Sequence, residues 1–134
     1  MAESVGKNFV VAILLVIFLG GLGIHRFYLG HKNTAIAISP YDVDSVLVAI
    51  AADELLNISG IFACFVLANI NGDIYISGRS VGDINVQVVL EVLGGGGHMN
   101  IAGAKLSNTT IDEAVRLLKD AMSKNLRVGD LKWK

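Results

Sequence analysis

The sequence predicts an α/β (α+β) domain: a small mixed sheet with a central antiparallel hairpin, flanked by about three helices, with an apolar helix appended at the N-terminus. Three observations carry that reading. Residues 61–70 and 73–80 are strand-length apolar or alternating runs joined by Asn71-Gly72, a pair suited to a type I′ hairpin turn because both central residues need φ > 0. Stripes of apolar residues at helical spacing alternate with these runs along the chain. The stretch from Asn8 to Ile24 carries no charged residue and is continuously apolar from Phe9 to Leu19.

The N-terminal stretch is apolar on every helical face from Phe9 to Leu19, unlike a surface helix. Its 17 residues sit at the lower end of a bilayer span, and Lys7 on one side and His25-Arg26-Phe27-Tyr28 on the other suit interfacial anchors. Residues 8–30 are therefore expected to meet a membrane, with a signal peptide or a buried core helix as competing readings. His25 and His31 belong to the interface in this reading. A boundary is expected near Asn33, giving units 1–33, 34–126 and a surface tail 127–134.

From residue 35 the pattern changes. Ala35 to Ser39 reads as a short strand stopped by Pro40, which cannot donate to a sheet ladder. Asp42 or Asp44 is expected to cap a helix whose apolar side is Val43, Val46, Leu47, Ile50 and Leu55, leaving Asp53 and Glu54 near the exposed side. The hairpin strands 61–70 and 73–80 follow. Gly82 to Asn85 opens a helix through Leu93, with Ile84, Val88, Val89 and Val92 toward the sheet. Ile101 to Leu106 reads as another strand. Thr110 with Glu113 has the capping-box pattern for a last helix with Ile111, Ala114, Val115, Leu118 and Met122 on its apolar side, and with Lys124 and Arg127 at its C-terminal end.

With 134 residues and 53% hydrophobic residues, the chain has material for one proper core. A formal net charge of −1 argues against a broad basic surface for duplex nucleic acid, though it leaves room for a local phosphate pocket. Cys64 is the single cysteine, so it has no internal disulfide partner and reads as a small buried hydrophobe in a domain suited to a reducing compartment.

The chemistry gathers around Gly94-Gly95-Gly96-Gly97-His98. Glycines cost backbone entropy on ordering and are kept where a turn needs φ > 0 or where another group touches the main chain. Amides of such a run can approach phosphate oxygens, and His98 can donate a further hydrogen bond or stack on a base. Arg79 offers a planar fork to a phosphate, with the Ser80 hydroxyl expected beside it. Asn85 reads either as a helix cap, a solvent-facing residue or a ligand contact.

Two resemblances add to this. Gly20-Gly21-Leu22-Gly23-Ile24-His25-Arg26-Phe27-Tyr28-Leu29-Gly30 resembles the first helix and turn of the two-transmembrane-helix family, but Asp42 and Asp44 make the second span physically unfavourable, each costing about 2.5 to 3.5 kcal/mol at a helix centre. Residues 35–124 resemble the DHH-associated domain, the substrate-binding half of DHH phosphoesterases, and are most similar to membrane-bound cyclic-di-AMP phosphodiesterases. The matching stretches are Ser77-Gly78-Arg79-Ser80, Asp83-Ile84-Asn85-Val86, Gly94 to His98, and Ala102-Gly103-Ala104.

That resemblance implies a module that binds the phosphate and base of a nucleotide or short single-stranded oligonucleotide, cyclic-di-AMP or its dinucleotide product foremost. The implied contacts are Arg79, Ser80, Asn85, Gly94, Gly95, Gly96, Gly97 and His98. The Asp-His-His triplet of the catalytic half does not occur in this sequence, so no metal ligand or catalytic residue is expected here, and manganese is expected only in a separate DHH catalytic domain, in another chain. A homodimer is a further expected partner, and the expected location is the membrane, with the C-terminal domain in the cytoplasm. A membrane-bound relic without ligand and an active phosphodiesterase with an unrecognised metal site are the alternatives.

Overall fold

The computed structural model describes residues 26–29, 34–39, 45–57 and 60–126. The elements are β1 (Arg26–Leu29), β2 (Thr34–Ser39), α1 (Ser45–Leu56), β3 (Ala63–Ile70), β4 (Asp73–Ser80), α2 (Val86–Val92), β5 (Gly96–His98), β6 (Ile101–Leu106) and α3 (Ile111–Asn125). They form one six-stranded mixed sheet in the order β1-β2-β3-β4-β6-β5. β2 and β3 run parallel, with α1 as the crossover, and the other neighbours are antiparallel. The expected mixed sheet around a central hairpin, with three flanking helices, is the observed fold.

The β3–β4 hairpin turns at Asn71 (φ +52) and Gly72 (φ +88), and the Gly72 amide donates to the Asn69 side chain at 3.0 Å. β2 and β3 are buried on both faces, which explains their near-continuous apolar sequence. The two faces are unequal. One, under α2 and α3, carries large residues such as Ile36, Ile38, Phe65, Leu67, Ile74 and Ile76, packed on Val89, Leu90, Leu118 and Met122. The other, under α1, is built from small ones: Ala35, Ala37, Cys64, Val66 and Ala68 against Val48, Ala51, Ala52 and Leu55.

Three local expectations are corrected. The buried stripe of α1 is Val48, Ala51, Ala52 and Leu55, while Val46, Leu47 and Ile50 are exposed. The helix is apolar nearly all round, so periodicity alone did not choose a face; the small Ala pair did, because it lets the helix approach an alanine-rich sheet. In α2 the buried residues are Val86, Val89 and Leu90, and Val92 points to solvent because the helix starts only at Val86, after its cap. Arg26–Leu29, expected at the end of a membrane segment, pairs with β2 as an edge strand on the N-terminal side of the boundary expected near Asn33.

The expected N-terminal helix, the Asp42 or Asp44 cap and the tail from Arg127 lie outside the described residues. Among the described residues, no helix is long and apolar enough to cross a membrane.

The last helix follows its sequence closely. Thr110 accepts from the Glu113 amide at 3.1 Å, and Ala114, Val115, Leu118, Ala121 and Met122 are buried. The Glu113 carboxylate pairs with Arg116 instead of completing the capping box, and that hydrogen-bonded guanidinium holds its carboxyl below the ordinary value.

Cys64 is fully buried and its thiol donates to the Ala52 carbonyl at 3.1 Å. Burial pushes it from 9.0 to about 12, with Arg79 opposing and Asp53 reinforcing the shift. The folded value is the higher, so this group's contribution to stability is whole below about pH 9 and is lost as pH rises toward 12. We expect urea midpoints to fall over that range by less in Cys64→Ala than in the parent chain; parallel pH profiles would contradict this.

Candidate functional site

β4 decides where the functional side chains go, because successive residues of a strand point to opposite faces. Ile74, Ile76, Gly78 and Ser80 face the large-residue core, and Tyr75, Ser77 and Arg79 face the α1 side. α1 packs over β3 and β4, leaving β6 and β5 without a covering helix on that side among the described residues.

Directly opposed residues of antiparallel strands share a face, so the register lays out three parallel rows there. Arg79, Ile101 and His98 form one row, Ser77, Gly103 and Gly96 the next, and Tyr75 and Lys105 the third.

Arg79 and His98 are therefore two strand spacings apart, about 10 Å between backbones, with Ile101 between them. Ile101 is 55% exposed, an apolar surface between two nitrogen-bearing side chains. The Arg79 side chain is 12% exposed and its Nε donates to Asp53 Oδ1 at 2.8 Å, while Nη1 donates to the Gly78 carbonyl at 2.9 Å. Asp53, 61% exposed on α1, thus fixes the guanidinium over the sheet, and Nη2 makes no hydrogen bond to the described residues. His98 is exposed.

The glycine run is not a single loop. Leu93, Gly94 and Gly95 close α2, with the Gly94 amide on the Glu91 carbonyl at 3.0 Å, the Gly95 amide on the Leu90 carbonyl at 2.8 Å, and Gly94 at φ +87. Gly96 and Gly97 enter edge strand β5. Gly95 is required by close approach, since a Cβ there would collide with the Gly103 carbonyl and with Ala104, and Gly97 meets Ile101 and Ala102 in the same way. At Gly96 a Cβ would meet nothing. Of the four, Gly96 is the one that shares the middle row.

Ser80 and Asn85 are not brought to this face. Ser80 is 4% exposed, and alternation turns it away from Arg79. Its hydroxyl donates to the Ile84 carbonyl at 2.6 Å and accepts from Asn100 Nδ2 at 2.9 Å. Asn85 is the N-cap of α2, accepting from the Val88 amide at 3.2 Å.

Asn100 was not singled out in the sequence, yet it ties the β5–β6 turn to the Gly82 and Ile84 carbonyls as well, at 3.2 and 3.3 Å. Ser77, Gly103, Tyr75, Lys105 and Asp53 were also missed as members of the site. The period-two spacing 75, 77, 79 was the available signal for Tyr75 and Ser77; the others become neighbours only through strand pairing. Among the described residues, no group of three or more His, Cys, Asp or Glu is placed to hold a metal ion.

A mixed sheet with α2 and α3 on one face and α1 covering part of the other makes this an α/β domain with an open stretch of sheet edged by Arg79 and His98. The family model of the DHHA1 domain matches residues 31–124, and the chain belongs to that family. A model of the TM2 domain matches residues 5–38, overlapping the first by residues 31–38, in which 34–38 lie in strand β2.

Among curated proteins, the chain is 50% identical over 80 residues to the cyclic-di-AMP phosphodiesterase GdpP of Geobacillus thermodenitrificans, covering 59% of this chain and 12% of that protein. It is 44% identical over 96 residues to the cyclic-di-AMP phosphodiesterase PdeA of Listeria monocytogenes, covering 69% of this chain and 14% of that protein. The chain thus spans about an eighth of the length of these relatives. An exopolyphosphatase-related protein from Bacteroides fragilis shares the fold, with a TM-score of 0.64 at 22% identity over 86% of this chain and 34% of that one.

Two substitutions test the framework of the site. Asn100→Ala leaves the Ser80 hydroxyl and the Gly82 carbonyl without this donor, and the Ile84 carbonyl with Ser80 alone, and is expected to lower stability by about 1 to 3 kcal/mol in urea unfolding; an unchanged midpoint would show that the turn does not depend on it. Gly95→Ala is expected to cost about 1 to 3 kcal/mol through overpacking, while Gly96→Ala leaves the midpoint nearly unmoved. Equal losses at both positions would contradict the assignment of close approach to Gly95.

Proposed function

We propose that the open face of the sheet holds the phosphate of a nucleotide or short single-stranded oligonucleotide, with cyclic-di-AMP or its linear dinucleotide product the first choice. The observation that carries this reading is the row of Arg79, Ile101 and His98 across three strands, laid beside a row with no side chain beyond Ser77. A phosphate over Ile101 lies within reach of the Arg79 guanidinium, which Asp53 has already oriented, and of the His98 imidazole. Charge-assisted hydrogen bonds of this kind are about twice as strong as neutral ones. The bare backbone at Gly96 and Gly103 lets the ligand lie close to the sheet.

The relatives' activity supports the ligand class: GdpP and PdeA, similar to this chain over 80 and 96 residues, are cyclic-di-AMP phosphodiesterases. In this reading the domain binds the nucleotide and presents it to the metal centre of a DHH catalytic domain, which cuts the phosphodiester. Ser80 and Asn85 serve the site indirectly, Ser80 by holding the β5–β6 turn and Asn85 by starting α2. In this reading the residues before β1 anchor the domain to a membrane, which the TM2 match supports, and the domain lies on the cytoplasmic side.

Calorimetric titration of the full chain with linear diadenylate and with cyclic-di-AMP tests this. Arg79→Ala or His98→Ala is expected to weaken binding by tenfold or more, about 1.4 kcal/mol, while Asn85→Ala lowers stability and weakens binding by less than either. Absence of saturable binding of either ligand at millimolar concentration would overturn the proposal.

A further inference from the structure

An open depression of about 320 Å³ lies on the same face as the Arg79–His98 row but toward the other end of β4. It is lined by Ser45 and Val48 of α1, by Tyr75 and Ser77 of β4 and by Gly103 and Lys105 of β6, among others. The phosphate reading uses none of the Tyr75–Lys105 end. From the proposed phosphate row to the Tyr75–Lys105 row is four residues along β4, about 13 Å at the rise of a strand. The middle row joins the two ends, since Ser77 and Gly103 line the depression and also adjoin Arg79 and Ile101 along their strands.

We infer that this depression is a nucleobase subsite, and the inference rests on the phosphate reading above. A planar base needs open sheet surface, and Gly103, paired between Ser77 and Gly96 in the middle row, leaves the backbone there bare. It needs an apolar or aromatic wall, which Val48 and the half-buried Tyr75 provide; base stacking on an aromatic ring contributes about 1 to 3 kcal/mol per base. It needs polar groups for the base edge, and here they are donors or hydroxyls: the exposed Lys105 ammonium beside the Ser45 and Ser77 side chains. Lysine has only donors, so it addresses ring nitrogens or carbonyl oxygens. At about 320 Å³ the depression lies at the small end of ligand pockets, room for one base with part of its sugar.

The consequence is selectivity for a nucleotide over the same phosphate without a base. Adenosine 5′-monophosphate and ribose 5-phosphate are the probes, titrated against the full chain and against Lys105→Ala and Tyr75→Phe, with thermal unfolding of each variant as a check on folding. The parent chain is expected to bind the nucleotide at least tenfold more tightly than the sugar phosphate. Lys105→Ala is expected to lower nucleotide affinity about fivefold and leave sugar-phosphate affinity unchanged; Tyr75→Phe keeps the ring and is expected to retain nucleotide binding.

Equal binding of both probes by the parent chain, or a Lys105→Ala variant that folds and loses neither or both equally, would overturn the base subsite while leaving the phosphate site standing. Failure of the parent chain to bind either probe, or diadenylate, would remove both proposals together.

Discussion

The register of β4 is the constraint on which the rest of this structure depends. β4 is paired on both sides, with β3 and with β6, and its eight residues alternate strictly between two faces. A slip of one residue would drive Arg79 into the large-residue core and lift Ile74 and Ile76 out of it. The turn at Asn71 and Gly72 sets the pairing with β3, and burial of the two isoleucines penalises every other choice. The site is thus a by-product of core packing: once Ile74 and Ile76 are buried, Tyr75, Ser77 and Arg79 have one place to go.

What turns that face into a cleft is the inequality of the two cores. Large side chains under α2 and α3 cover one face of β4 and β6, whereas α1 brings small residues to the other and sits over β3 and β4. Ala51 and Ala52 let α1 lie close to Ala35, Ala37 and Ala68, and the same closeness brings Asp53 within 2.8 Å of Arg79. An exposed ion pair contributes little to stability, and Asp53 is largely exposed. Its physical effect is orientation, holding a long flexible side chain over the sheet, so that in the proposed reading less freedom remains to be lost on binding.

Much of this was legible in the sequence. The hairpin, the last helix, β6 and the mixed architecture follow from local signals: a turn pair needing positive φ, a Thr cap, a strand-length run. The face of α1 was not legible, because Val46, Leu47 and Ile50 are as apolar as Val48 and Leu55, and only the alanine-rich sheet distinguishes them. Arg79 and Ser80 looked like neighbours because they adjoin in sequence, yet in a strand adjacency means opposite faces. The four glycines looked alike, and the structure divides them among a helix end, a close approach and one open position, distinctions that arise only once β5 lies against β6. Lys105 carried no signal of its own; pairing with Tyr75 is what brings it to the cleft.

The residues that face away from the cleft complete the account. His98 stands at the end of a three-residue edge strand, and so short a strand has little of its own to hold it. The restraint comes from behind. The Ser80 amide donates to the Asn100 carbonyl at 3.0 Å, the Val86 amide to the Met99 carbonyl at 2.9 Å, and the Asn100 side chain to Ser80, Gly82 and Ile84. These bonds fasten the β5–β6 turn to the end of β4 and to the start of α2, whose first turn Asn85 caps. Ser80 and Asn85, whose positions resemble ligand contacts in sequence, make their hydrogen bonds within the chain here, buried Ser80 with Ile84 and Asn100 and half-buried Asn85 with the first turn of α2. A site spread over three strands and a turn holds its spacing only if such a hydrogen-bonded layer is present behind it.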